Sequence, residues 1–190
     1  MIWYPGEDGG TAIANIISGA VNPSGHLPMT FYASLGQLPR FDDYDISKNR
    51  TYMYLQGDPL FPFGYGLSYT NFTYVNPGIN ATTAADGDTV LLSLDVVNSG
   101  TMTGDEVVQV YARRAGSSAY EDRANLQLRG FKRVTIPVGS FARVSIAIKV
   151  SDLKVWDPVS QAWVLEPGNY EIMAATSAKD VQLTTLITIS

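Results

Sequence analysis

The sequence predicts a mainly β protein, an antiparallel β-sandwich preceded by one short helix and a long aromatic-rich connector. Three observations carry this. After Asn76-Pro77-Gly78 the chain becomes a series of short, β-branched, alternating runs separated by turn signals. Before that point only Gly10 to Ile17 repeats apolar residues at helical spacing. Between the two, prolines and glycines interrupt a stretch crowded with Phe and Tyr. With 190 residues, 45% hydrophobic and 16% charged, the chain falls in the globular range and can hold one large domain or one domain with an appendage.

Taken in order, Ile2-Trp3 is an apolar stub running into Tyr4-Pro5-Gly6-Glu7-Asp8-Gly9-Gly10. It reads as the end of a buried strand with its partners upstream, so the function is expected to belong to a larger protein. In the helix, Ala12, Ile13, Ile16 and Ile17 share one side, Asp8 is placed to accept free amides at the start, and Gly19 supplies a left-handed stop. Adjacent Glu7 and Asp8 are the most tempting local carboxylate pair, yet their place at a helix start reads as end stabilisation rather than catalysis. Asn22-Pro23-Ser24-Gly25-His26-Leu27-Pro28 cannot continue a helix, because its prolines remove donors. The connector that follows cannot bury Trp3, Phe31, Tyr52, Tyr54, Phe61 and Phe63 by itself, so these side chains are expected against another surface. Strands are expected near Phe72 to Val75, Val90 to Val97, Val107 to Ala112, Phe131 to Ile136, Val144 to Val150, Ala162 to Leu165, Tyr170 to Ala174 and Val181 to Ile189. That is enough for a two-layer sandwich with its own core, and the boundary falls near 70 to 78.

Composition removes several function classes. There are no cysteines, which excludes a thiol nucleophile and a disulfide framework. The formal net charge is −5, and basic residues are scattered except at Arg113-Arg114 and from Arg129 to Arg133. A nucleic-acid backbone wants a concentrated positive surface, so that partner is disfavoured. No run approaches the roughly 18 apolar residues of a membrane span, and Met1 lacks the basic and apolar regions of a signal peptide. The compartment stays open. A secreted or periplasmic parent would carry its signal upstream. Sequons at Asn49, Asn71 and Asn80 read as chance matches, since the modification needs an exporting, glycosylating host.

Individual residues favour structural roles. Asp42, Asp43 and Asp45 have the spacing of hard oxygen ligands but no glycine-anchored calcium loop, and read as a solvated acidic loop. His26, the only histidine, has no second histidine or cysteine to complete a zinc site, and a surface or interdomain hydrogen bond is expected of it. Ser68 lacks the G-x-S-x-G elbow of a serine hydrolase, and Gly64 and Gly66 lack the lysine of a phosphate loop. Those glycines are expected to turn the chain tightly while Phe63, Tyr65 and Tyr69 pack between domains. Arg50 either anchors the connector to a carboxylate or is solvated. Among Tyr111, Tyr120, Trp156, Trp163 and Tyr170, which raise a carbohydrate-binding hypothesis, Trp163 and Tyr170 are expected in the core or an interface. Trp156-Asp157-Pro158 reads as a loop able to touch a glycan or a partner domain.

Gly6-Glu7-Asp8-Gly9-Gly10-Thr11-Ala12-Ile13-Ala14 followed by Asn22 to Pro28 resembles the end of the second domain of glycoside hydrolase family 3. Pro62-Phe63-Gly64-Tyr65-Gly66-Leu67-Ser68-Tyr69-Thr70 resembles the lead into that family's C-terminal fibronectin type III-like domain. Asn98-Ser99-Gly100 with Gly104 to Tyr111, then Leu128 to Arg133, then Trp163 to Tyr170, resemble successive pieces of that module in order. Arg50-Thr51-Tyr52-Met53-Tyr54 before Pro59-Leu60-Phe61-Pro62 is similar to the β-xylosidase and β-glucosidase members.

The resemblance implies a fibronectin type III-like sandwich over 72–190, an interdomain connector over 36–71, and a remnant of an α/β sandwich domain over 1–35. It implies a parent that removes terminal β-linked glucose or xylose by double displacement. The family's aspartate nucleophile and glutamate acid/base have no matching positions here, so the chain alone is expected to be inactive, with no catalytic, cofactor or metal residue to assign. Arg50, Tyr52, Phe63 and Trp156 are the expected carbohydrate or interdomain contacts. The expected partners are the upstream catalytic domains, in the same chain or a separate one, and a plant-type polysaccharide or oligosaccharide. Two other readings stand beside this one: a stand-alone carbohydrate-binding sandwich, and the complementing subunit of a split glycosidase.

Overall fold

The computed structural model describes residues 1–116 and 123–190. Two helices precede the strands, α1 (Gly9–Ile17) and α2 (Thr51–Tyr54). The strands described are β1 (Phe72–Ile79), β2 (Thr83–Ala84), β3 (Thr89–Asn98), β4 (Gly104–Arg114), β5 (Gln127–Ile136), β6 (Phe141–Lys149), β7 (Val155–Asp157), β8 (Ala162–Val164), β9 (Gly168–Ser177) and β10 (Asp180–Ile189). They form one sheet in the order β1-β3-β6, a second in the order β2-β10-β9-β4-β5, and the hairpin β7-β8. All pairings are antiparallel except β2 with β10. The fold is thus mostly β, with a sandwich of the expected class.

Alternation builds the core between the two larger sheets. Val90, Leu92, Leu94 and Val96 of β3 point inward with Val144, Ile146 and Ile148 of β6, and meet Val108, Val110, Ile172, Ala174, Ile187 and Ile189 from the facing sheet. Residues two apart share one face of a strand, so each polar intermediate is turned outward. β1 lies at an edge, the position where a strand tolerates Pro77, whose missing amide breaks no ladder. There the register slips between Val75 and Gly78, and Asn76 is left-handed at φ 52° with its amide donating to Asp95 at 2.9 Å.

β4 departs from alternation, because Gln109, Val110, Tyr111 and Ala112 are all buried. Its outer face is covered by a second apolar cluster in which Tyr111, Met173, Ala175 and Ala178 receive Tyr52 and Phe63 from the connector. A strand covered on both faces becomes a continuous apolar run, which explains Val107-Val108-Gln109-Val110-Tyr111-Ala112.

Several sequence expectations need correction. Asp8 occupies the N-cap of α1 but makes no side-chain cap bond. The helix is entered instead through Gly6, at φ 69°, whose carbonyl accepts from Gly9 N–H at 3.3 Å. Gly19 does supply the left-handed stop, at φ 76°. The strand expected through Val150 ends at Lys149, and Val150–Leu153 forms a 3-10 turn that buries Val150 and Leu153. Trp156 is not in a loop: it lies on β7, opposite Trp163 on β8. Trp163 is 65% exposed rather than core, whereas Tyr170 is buried. α2 and the two-residue β2 were not anticipated.

Candidate functional site

The connector is fixed to the outer face of the β4-containing sheet by an aromatic stack and a set of main-chain bonds. Tyr52 stacks on Phe63 with ring centres 4.3 Å apart and meets Tyr111 edge-on at 6.0 Å. The Tyr52 hydroxyl accepts from Leu128 N–H at 3.2 Å. Asn125 N–H donates to the Met53 carbonyl at 2.6 Å, and Ala178 N–H to the Phe63 carbonyl at 2.9 Å. Gln109, the one polar side chain in the apolar run of β4, donates to the carbonyls of Gly64 at 3.0 Å and Thr176 at 2.6 Å, and accepts from the Tyr111 hydroxyl at 2.6 Å. A buried amide satisfied on three sides specifies one register for the connector. Gly64 is needed on two counts, since its φ is 78° and a Cβ there would lie 1.9 Å from the Gln109 Oε1.

The two motif segments close on each other in the same way. His26 bridges to Gly66, and Leu27 N–H donates to the Tyr65 carbonyl at 2.9 Å. Gly66 is not the turn-former expected: its positive-φ neighbour is Gly64, and it instead leaves room for the His26 ring, which a Cβ would meet at 2.8 Å. Asn22 accepts from Ser68 Oγ at 3.1 Å and Tyr69 N–H at 2.9 Å, giving Ser68 its structural role. Thr70 Oγ1 donates to Asn98 Oδ1 at 2.6 Å, and Asn98 donates to the Met102 and Ile136 carbonyls, both at 2.9 Å.

Arg50 donates to the main-chain carbonyls of Arg40 and Asp43, where the sequence left a carboxylate or solvent as its partner. The acidic loop is internally paired: Asp42 with Arg40, Asp43 with Lys48, and Asp45 with Ser47. All three carboxyls are held below the usual aspartate range, chiefly by hydrogen bonds from Arg40 to Asp42, from the Asp45 N–H to Asp43, and from Ser47 to Asp45. Asn49 is engaged on both ends of its amide, by Gln37 and Gln56.

Of the four expected contact residues, the structure brings Tyr52 and Phe63 together, sets Arg50 beside the acidic loop, and places Trp156 and Tyr52 on one groove. The groove has a volume of about 700 Å³ and is bounded by the 52–54 segment, the start of β5, the 3-10 turn and the β7-β8 hairpin. Tyr54, Arg129, Asp152, Lys154, Trp156 and Trp163 are among its lining side chains. Among the described residues Asp152 is the one carboxylate there, whereas glycosidic cleavage uses a pair of carboxyl groups. Sequence reasoning missed Arg129 and the exposure of Trp163, for which the signal was a basic residue at the start of a strand and a second tryptophan seven residues from the first. Tyr120 lies outside the described residues.

Residues 1–69 match the "Glycosyl hydrolase family 3 C-terminal domain" and residues 106–178 the "Fibronectin type III-like domain". The chain corresponds to the family 3 C-terminal domain joined to a fibronectin type III-like domain. It is 41% identical to a xylan 1,4-beta-xylosidase of Xylanibacter ruminicola, over 95% of this chain and 20% of that protein. It is 34% identical to a periplasmic beta-glucosidase of Salmonella typhimurium, over 95% of this chain and 25% of that protein. Among solved structures, the beta-D-glucoside glucohydrolase of Trichoderma reesei superposes with a TM-score of 0.85 at 28% identity, covering 98% of this chain and 29% of that one. The chain spans under a third of the length of these relatives.

Proposed function

We propose that this chain is the accessory C-terminal portion of a family 3 β-glycosidase, whose whole protein hydrolyses terminal β-linked glucose or xylose with a retaining mechanism. The nucleophile and the acid/base belong to upstream domains, and the 190 residues alone are inactive. The supporting observation is the uneven burial of the chain. Leu55 is the one core hydrophobic before Thr70 among the described residues, while Trp3, Ile17, Phe41 and Tyr44 stand exposed. Apolar surface on that scale marks an interaction face, and relatives named as β-xylosidase and β-glucosidase carry further chain in which its cover can lie. In this reading 1–35 completes a neighbouring α/β domain, 36–71 is the connector, and 72–190 is the sandwich that braces both. Arg50, Tyr52 and Phe63 act in holding the connector.

The test is hydrolysis of paired aryl β-glucoside and β-xyloside substrates by the purified chain, alone and mixed with the upstream segment. Activity in the mixture alone supports the reading and reveals the sugar preferred. Turnover by the pure chain, persisting through orthogonal purification, overturns it. A second reading, carbohydrate binding by the sandwich, is favoured by one observation, the tryptophan-lined groove.

A further inference from the structure

The groove between the connector and the β7-β8 hairpin collects positive charge in a chain whose formal net charge is −5. Arg123, Arg129 and Lys154 line it against Asp152, the single carboxylate among its described residues. A smaller pocket sharing Arg123 and Arg129 adds Arg113 and Arg114, so the two basic stretches separated in the sequence converge here. Most of this charge is already matched. Arg113 pairs with Glu171 at 2.5 Å, Arg123 with Glu166, and Lys154 with Asp86 at 2.6 Å.

Arg129 differs. Its guanidinium donates through Nη2 to the neutral Gln127 side chain, and its buried Nε has no acceptor. Among the described residues it forms no ion pair. A half-buried guanidinium that lacks an ion pair and feels only the through-space charge of Asp152 is under-compensated, and a carboxylate entering the groove supplies a charged acceptor for its accessible donors. The opposite wall is aromatic. Trp156 and Trp163 are 49% and 65% exposed, with ring centres 5.8 Å apart and planes inclined at 69°. In that edge-to-face contact one indole edge meets the other's face, and the exposed remainder of both rings leaves surface for the C–H face of a sugar. The volume of about 700 Å³ lies inside the range of small-molecule sites, and Tyr54 and Ser151 line it with hydroxyls.

We propose that this groove binds a saccharide bearing a uronic acid, with Trp156 and Trp163 covering the sugar ring and Arg129 receiving the carboxylate. It does not depend on the glycosidase reading, because no hydrolysis is involved. A neutral sugar would leave Arg129 unanswered, and an anion without a ring face would leave the indoles uncovered.

The experiment is a fluorescence titration of the whole chain carrying W3F, so that Trp156 and Trp163 are the only indoles. The probes are xylotriose with one glucuronic acid branch and unbranched xylotriose. Saturable change with the branched probe is expected, with binding weakened by about tenfold or more for the neutral one, the scale of a charge-assisted hydrogen bond. R129Q should bring the branched probe down to the neutral level, and R129K should restore part of the difference. Should R129Q fail to fold in a thermal melt, W163A on the exposed hairpin decides, since it must weaken both probes. Equal affinity for the two probes, no saturable change from folded protein, or unchanged binding by W163A would each overturn the proposal, as would displacement of the branched probe by the upstream protein segment at stoichiometric concentration.

Discussion

Residues 1–71 and 72–190 are made of similarly apolar sequence but use it differently. In the sandwich, Val96, Val108, Ile136, Val144 and Ile172 are wholly buried, and each faces apolar neighbours across two sheets. In the first region Tyr4, Leu35, Phe41 and Tyr44 are almost fully exposed. What holds that region is the stack of Tyr52 and Phe63 on Tyr111 together with polar bonds: those of Asn22 to Ser68 and Tyr69, of Gln109 to Gly64, and of Lys179 to the Gly57 carbonyl at 2.8 Å. The first region is therefore positioned by the second rather than by a core of its own, and many of its apolar side chains stay exposed.

The sharpest test is to remove core volume on one side. Leu94→Ala, at a site with 1% exposure, should cost ~2–5 kcal/mol in urea unfolding. A smaller loss would mean the sandwich is not the stabilising half. Gly64→Ala should cost roughly 2–3 kcal/mol through left-handed strain and the collision with Gln109. Its mark is proteolytic opening of the connector while amide protection in β3 and β6 persists. If both regions loosen together, they form one cooperative unit and the contrast fails. Tyr52→Phe removes only the acceptor for Leu128 N–H and should cost about 1 kcal/mol, read as a shift in thermal midpoint.

A pH series resolves two opposite contributions within the sandwich itself. Burial raises the Glu106 carboxyl, although the Tyr74 hydroxyl donating at 2.7 Å opposes it. A raised carboxyl contributes stability that is full below its unfolded value and lost as pH rises through its folded value. Asp105 and Glu166 are lowered, chiefly by hydrogen bonds from Thr135 and Arg123. Their contribution is present above the unfolded range and lost as pH falls through the folded values. Thermal midpoints should thus decline on both sides of the weakly acid range, and Glu106→Gln should flatten only the rise-side decline. A decline left unchanged in that variant would reassign the effect. The smallest effect is expected at Ile17→Ala, within about 0.5 kcal/mol for an exposed site. A large loss there would show that α1 already packs against something in this chain.

Much of the sandwich was legible because period-two alternation and turn dipeptides are local. Val90 to Val97 and Val181 to Ile189 fall within β3 and β10 for that reason. The double-sided burial of β4 was not legible, since the covering residues Tyr52 and Phe63 lie far back in the chain. Tyr52 and Phe63 were singled out as aromatic contacts, but their stacking on each other is a tertiary fact. Trp163 misled because an aromatic side chain on a strand is usually buried, while the β7-β8 hairpin stands away from both large sheets. Arg129 was visible only as part of a basic stretch, as its spare donor depends on a groove assembled from four separated segments.

The grip of Gln109 and Ala178 on the connector has a consequence for biosynthesis. Residues 52–64 leave the ribosome before every strand that receives them, and the bond from Ala178 N–H to the Phe63 carbonyl cannot form until residue 178 has emerged. Folding of the connector is thus a late step to complete, so its apolar side chains are the surface most exposed to association while the chain is still short.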